Sequence, residues 1–437
     1  MKEGYKKTEL GWIPEEWEVN TTGKIFEFIG GLSISREKLG AEGVNYLHYG
    51  DIHKRNENFI DLEVDEQWIP KFNEEYKNIK NGVKLETGDV VFADASEDYE
   101  GIGKSVSIIN YDNKPFVAGL HTIVGKDRNN LLDEHYKRYC FSTKNIRKQF
   151  RVLATGTSVY GISRENIKKI KFLIPPLKEQ QKIAEILSTI DTQIDDTDKL
   201  IEKTKELKKG LMQRLLTKGI GHTEFKMTEV GEIPVEWEII TVGKLVTLLK
   251  SGLSRSLKEE NVGVPCIRSN NIKEDKLVLN DLKYWYNMDD KGAKIEDYIL
   301  DEGDIIVNFI NSISQIGKGC IFNKNDFRTI YTTNLLRIKV DNSKIINTFF
   351  YYYIQTERYR KEITLITKPA VNQASFTTVE YKSIKFPVPN LEEQRLISNI
   401  LVSVDTQIEE YENKKSKLEE LKKGLMQQLL TGKIRVV

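Results

Sequence analysis

Two stretches of the chain carry apolar residues at alternating spacings of three and four. The first follows Ile174-Pro-Pro and runs through Ile183, Leu187, Ile190, Ile194, Ile201, Leu211 and Leu215. The second follows Val388-Pro-Asn and runs through Ile397, Leu401, Val404, Ile408, Tyr411, Leu418, Leu425 and Leu429. Charged residues fill the remaining faces. The spacing predicts two coiled-coil-like helices of roughly 40 residues, each about 60 Å long. Their seams are imperfect, because Thr197, Thr204, Lys208, Lys415 and Lys422 occupy core-type positions. Gly210 and Gly424 each cost about 1 kcal/mol of helix propensity, which points to closely packed backbones or a partner contact.

Elsewhere the apolar residues come in short runs, such as Val90-Val-Phe-Ala93 and Val106-Ser-Ile-Ile109, broken by Gly, Asn and Asp. These predict strands and turns with a few helices, an α+β fold. The chain is also duplicated. Thr8-Glu-Leu-Gly-Trp-Ile-Pro-Glu-Glu-Trp-Glu returns 220 residues later as Thr228-Glu-Val-Gly-Glu-Ile-Pro-Val-Glu-Trp-Glu. Glu206 to Thr217 returns as Glu420 to Thr431 with only Arg214 changed, to Gln428. Weaker echoes link Leu85-Glu-Thr-Gly-Asp with Leu300-Asp-Glu-Gly-Asp, and Gly43-Val-Asn-Tyr with Gly263-Val-Pro-Cys.

The repeat divides the chain into domains at 1–173 and 221–387 and helices at 174–220 and 388–437. It predicts two α/β domains related by a pseudo-two-fold axis and joined by two long antiparallel helices. Duplex DNA has local two-fold axes, so paired domains are suited to two half-sites about one helical turn apart. A partner that docks on the repeated helix can dock twice.

Composition adds limits. The 437 residues exceed one ordinary core. Sixty-six basic against 65 acidic residues leave a net charge of +1, so any DNA-binding surface must come from sorting charge rather than from excess. Three widely spaced cysteines argue against a disulfide framework and for a reducing compartment. The chain lacks a long apolar run and a secretory leader, so a cytoplasmic location is expected.

Catalytic motifs are missing. There is no Asn-Pro-Pro-aromatic or Asp-Pro-Pro-Tyr sequence of an amino-methyltransferase and no convincing nuclease cluster of carboxylates and lysine. The five histidines form no metal-ligand spacing with the cysteines. Glu100-Gly-Ile-Gly-Lys-Ser105 imitates a phosphate loop, but Asp98 stands where its first glycine belongs. The second copy has Ile316-Gly-Lys-Gly-Cys there, so a shared turn is expected. No catalytic and no metal-binding residue is assigned.

Leu10-Gly-x-Ile-Pro-x-x-Trp17, Leu85-x-x-Gly-Asp and Ile174-Pro-Pro-Leu-x-Glu-Gln180 recur as Val230-Gly-x-Ile-Pro-x-x-Trp237, Leu300-x-x-Gly-Asp and Val388-Pro-Asn-Leu-x-Glu-Gln394. This double series resembles the specificity subunit of type I restriction–modification enzymes over essentially the whole chain. The resemblance implies two target recognition domains, each reading half of a bipartite asymmetric site on double-stranded DNA, with the helices as spacer. It implies a non-catalytic subunit that binds two methyltransferase (modification) subunits, joined by motor-nuclease (restriction) subunits. No cofactor is expected in this chain; S-adenosylmethionine, ATP and magnesium are expected on the partners. The alternative is the recognition subunit of a related system with methylation and cleavage fused in one partner chain.

Base readout needs polar side chains on loops, and register needs phosphate contacts. Near the end of each domain a basic segment leads into a loop. The candidates there are Lys148, Arg151, Thr157, Ser158 and Tyr160 in the first copy, and Arg360, Lys368, Asn372 and Gln373 in the second. Where the copies diverge, the first domain offers Ser33, Arg36, His53, Lys54, Arg55, Ser96 and Tyr99. The second offers Ser254, Arg255, Arg268, Asn270, Asn271, Lys273, Asn308, Asn311 and Gln315. Lys104 and Lys318 are candidate phosphate contacts. Trp17 and Trp237 read as structural anchors.

Overall fold

The computed structural model describes residues 3–323, 327–370 and 373–436. The two long helices are α1 (Leu177–Lys218, 42 residues) and α2 (Leu391–Leu429, 39 residues). By contacts the chain divides into two compact units, Met1–Asp198 with Asn413–Val437, and Lys199–Glu412. This differs from the four segments read from the sequence, because the helices are not bodies of their own. Each is shared along its length, since its apolar face is covered by a domain and not by the other helix alone.

In the first unit, β1 (Glu27–Gly30), β2 (Phe59–Asp61), β3 (Val90–Ala93), β4 (Ser105–Ile109) and β5 (Thr122–Lys126) form one sheet in the order β1-β5-β3-β4-β2. Only the β4–β2 pairing is parallel. Every residue of β3 is buried, which explains its unbroken apolar run. A second sheet holds Val44–Leu47 beside Phe116–Ala118 as a parallel pair.

The second unit repeats this plan with less strand. Here β6 (Val246–Ser251), β7 (Ile305–Asn308), β8 (Gly319–Ile321) and β9 (Leu335–Val340) run antiparallel in the order β6-β9-β7-β8. Its second sheet again holds a parallel pair, Gly263–Ile267 beside Ile330–Tyr331.

The motifs that recur turn out to hold each domain to its helix. The strand after the opening hairpin pairs with the strand before the helix, Glu18–Thr21 with Lys171–Ile174 and Glu238–Thr241 with Lys385–Val388. That pairing brings a buried tryptophan to a buried carboxylate. Trp17 Nε1 donates to Glu179 Oε2 at 2.8 Å, and Trp237 Nε1 donates to Glu393 Oε2 at 3.0 Å. The other oxygen of Glu179 accepts from Arg435 Nε at 2.7 Å, while His222 Nε2 lies 2.9 Å from that of Glu393. The adjacent glutamines tie down backbone. Gln180 accepts from Asp133 N and donates to Pro175 O; Gln394 accepts from Ile346 N and donates to Pro389 O.

Within each unit the two helix segments run antiparallel. In the first, Asp191 pairs with Lys422 and Asp198 with Lys415; in the second, Lys205 pairs with Glu412 and Lys208 with Asp405. The lysines at core-type positions are therefore neutralised by aspartates of the opposite helix. Two of those aspartates also take a tyrosine of the domain: Tyr139 donates to Asp191 at 2.7 Å, and Tyr352 to Asp405 at 2.8 Å. Thr197 and Thr204 satisfy their buried hydroxyls on carbonyls four residues back.

Of the seam positions, Ile183, Leu187, Ile190, Leu215, Ile397, Leu401, Val404, Ile408 and Leu429 are buried. Leu211, Leu425 and Ile194 are half-buried. Close backbone packing is not what the glycines serve within the chain. A Cβ added at Gly210 or Gly424 would meet nothing within 4 Å. All three cysteines are buried and free, and burial pushes the Cys266 thiol up to about 12. Among the described residues, no helix is long and apolar enough to cross a membrane.

Candidate nucleic-acid interface

Each unit opens a polar cleft at the same place in its fold. The loop after β1 or β6 forms one wall, and the turn after the parallel-pair strand forms another. In the first unit the cleft measures about 860 Å³ and is lined by Arg36, His48, Tyr49, His53 and Lys54, with Asp51, Glu97, Asp98 and Glu100 among them. In the second it measures about 750 Å³ and is lined by Ser254, Arg255, Lys258, Arg268, Asn270, Tyr286, Lys291 and Asn334, with Asp290 as its acidic residue. A nearly neutral chain thus collects cationic groups in the second cleft, as anion binding requires. The first is of mixed charge.

The turns are built alike. His48 N donates to Asp51 Oδ2 at 3.1 Å, and Arg268 N donates to Asn271 Oδ1 at 2.9 Å. The carboxyl of Asp51 is raised by burial, and the His48 imidazole is lowered by the same cause. Three of the chain's five histidines surround Tyr49, with ring centroids at 4.5 Å (His48), 5.9 Å (His53) and 5.3 Å (His121).

The candidate residues fall into three groups. Ser33, Arg36, Lys54, Lys148, Thr157 and Ser158 in the first unit are exposed, as are Ser254, Asn270, Lys273 and Gln373 in the second. Among the described residues, Arg36, Lys54, Lys148 and Lys273 form no ion pair, so their charge is available to phosphate. Asn372 lies outside the described residues.

A second group is reachable but already engaged. Arg255 makes a bidentate pair with Asp289, both bonds 2.8 Å, and holds that carboxyl far below the usual range. Arg268 donates to the carbonyl and carboxylate of Asp281. Arg55 pairs with Asp65, Arg151 with Glu100 and Lys368 with Glu380. His53 Nε2 lies 2.9 Å from Ala95 O, and Tyr99 donates to Arg151 O while its ring meets Tyr160. Arg360 donates to Ile316 O, and Asn311 accepts from Ser312 N. Gln315 and Lys318 are half-buried.

The third group is corrected. Ser96, Asn271 and Asn308 are only 1–2% exposed. Asn271 spends its amide on Val278 O and Asn280 O, which closes its own turn. Ser96 accepts from Asp98 N, and Asn308 ends the buried strand β7. All three side chains are buried, although Ser96 still lines the first cleft. Lys104 is likewise turned inward, its ammonium held by the carbonyls of His53 and Arg55, and burial lowers its pKa.

The glycines beside it explain the imitation phosphate loop. Gly103 (φ 64°) and Gly317 (φ 77°) are left-handed, and a Cβ at either would strike Phe150 or Ile363. The motif is a tight turn into β4 and β8, as its duplication suggested. Among the described residues, no group of three or more His, Cys, Asp or Glu is arranged to hold a metal.

Two residues passed over in the sequence stand at these clefts: Asn334 lines the second, and the His121 ring packs on Tyr49 of the first. His121 lies immediately before β5, and Asn334 immediately before β9. Their equivalence is visible only in the hydrogen bonding: Asp94 N donates to His121 O and Phe309 N to Asn334 O, both at 3.1 Å. Aligning the copies there from sequence would have required a register through their most divergent stretch.

Comparison with known proteins agrees with this fold. The model of the type I restriction modification DNA specificity domain matches twice, over residues 14–206 and 234–420. A Methanocaldococcus jannaschii chain, named for the specificity subunit of the type I restriction enzyme MjaX, is 31% identical over 100% of this chain and 97% of its own length. The type I restriction enzyme MjaVIII specificity subunit of the same organism is 28% identical over the same shares. Among solved structures, a type I restriction-modification S subunit from M. genitalium shares the fold with a TM-score of 0.54 at 17% identity, covering 95% of this chain and 96% of that one. A chain of a type I R-M system studied for complex assembly and conformational transition gives 0.58 at 15% identity, covering 97% and 99%. With both domains matched in order and each on the same tryptophan–glutamate frame, the chain belongs to the family of type I restriction–modification DNA specificity proteins.

Proposed function

We propose that this chain is the non-catalytic recognition subunit of a type I complex and that each cleft reads one half of a bipartite DNA site. The observation that carries the reading is one frame used twice with different contents. Trp17–Glu179 and Trp237–Glu393 repeat, and so do the turns at His48 and Arg268, whereas the groups lining the two clefts differ. Such a protein recognises an asymmetric sequence.

The two long helices serve as spacer and as the docking surface for two modification subunits. Leu207 and Leu421, at matching positions, are 53% and 50% exposed, and Gly210 and Gly424 beside them leave open space. A small residue next to an exposed leucine suits a helix packed from outside. S-adenosylmethionine, ATP and magnesium belong to the partner subunits in this reading.

Methylome sequencing of a host that expresses the chain with its modification subunit tests it. A split motif with one methylated adenine in each half is expected. A continuous palindrome, or no sequence motif, would refute the proposal.

A further inference from the structure

We propose that His121 and Asn334 are specificity-determining residues, each reading a base pair in its own half-site. The inference rests on the two-reader function above and assigns the reading to one position of the repeated fold.

The backbone hydrogen bonds around the two residues are equivalent, although His121 is left-handed and Asn334 is not. Besides the bonds from Asp94 N and Phe309 N, the wall loops are pinned alike. Gly31 N donates to Thr122 O and Gly252 N to Leu335 O, at 2.8 and 3.2 Å. Leu32 N donates to Ala118 O and Leu253 N to Tyr331 O, each at 2.8 Å. One scaffold position therefore presents an imidazole in one unit and a carboxamide in the other. Both groups can donate and accept hydrogen bonds, which is the chemistry that separates base pairs in the major groove.

Both side chains are accessible. The His121 side chain is 50% exposed, with Nδ1 3.2 Å from Asp94 Oδ1 and its ring edge-on to Tyr49. An ionised Asp94 keeps the proton on Nδ1 and leaves Nε2 to accept from an exocyclic amino group, as adenine and cytosine offer. The histidine holds this place at φ 55°, a conformation unfavourable for a residue with a Cβ. Asn334 lines the second cleft, and among the described residues its amide makes no hydrogen bond. A free carboxamide suits the N6 and N7 edge of adenine. In the second unit Asn271 and Asn308 are buried and Arg255 and Arg268 are paired with aspartates, which leaves Asn270 and Asn334 as the accessible carboxamides of that cleft.

The test maps methylation by the chain with its modification subunit, for the wild type and for His121→Ala, His121→Asn, Asn334→Ala and Asn334→His. Each histidine variant is expected to relax or change one base pair of one half-motif, about tenfold or more in relative methylation. Each asparagine variant should do the same in the other half, with the gap and the remaining positions unchanged. Competition binding of the purified complexes, using duplexes altered at one base pair at a time, should give the same positions. Wild-type motifs from all four variants would overturn the assignment. So would uniform weakening over both halves, or loss of all methylation and binding by the conservative variants, since either marks a structural role. A wild-type complex that yields no split motif would instead refute the two-reader function.

Discussion

A buried carboxylate in each unit holds more than its size suggests. Glu179 and Glu393 each receive an indole N–H and a second, basic side chain, at 0% and 8% exposure. Removing such a group leaves an unpaired buried donor and, in the first unit, an arginine held by Glu16 alone. Glu179→Ala and Glu393→Ala should each destabilise the unit that holds them by about 3 kcal/mol, read from urea unfolding. Glu179→Gln should cost less, because an amide oxygen can still accept from Trp17. A loss below about 0.5 kcal/mol in both alanine variants would refute the clamp. At this scale the sequence was only partly legible. Trp17 and Trp237 stood out as anchors, but their partners lie 162 and 156 residues away. Polar residues such as Asn271 and Asn308 look exposed in a sequence because nothing local shows that a fold closes over them. A left-handed histidine such as His121 carries no pattern at all.

The long helices were the most legible elements, since their period and their proline breaks are local properties. The lysines within the seam were not, because only the opposite helix explains them: Lys422 and Lys208 find Asp191 and Asp405 there. The glycines of the repeated segment now separate two effects that usually travel together. Gly210→Ala and Gly424→Ala meet no steric obstacle, so each should stabilise the free chain by about 0.5–1 kcal/mol in denaturant unfolding. The same substitutions should weaken binding of the modification subunit, and Leu207→Asp with Leu421→Asp should weaken it further. Unchanged binding in the aspartate variants would mean that the partner docks elsewhere.

On the scale of the whole molecule, the duplication was readable but the partition was not. Sequence similarity marks where a copy begins and ends, whereas a cohesive unit is defined by what packs on what. Leu429 and Leu430 lie in one core cluster with Trp17, Ile183 and Leu187, more than 200 residues earlier in the chain. A chain cut after Glu412 should therefore keep the cooperative unfolding of Lys199–Glu412 and lose that of the first unit, as read by hydrogen exchange resolved along the sequence. Equal protection of both units in the shortened chain would contradict this division.

The same interleaving sets a clock during synthesis. Residues 199–412 form an uninterrupted stretch and have all their partners once they leave the ribosome. The first unit is made earlier but must wait for residues 413–437 to close its core. The domain translated first is thus the one completed last. A ribosome that stalls between the two events leaves a nascent chain whose only finished reader is the second.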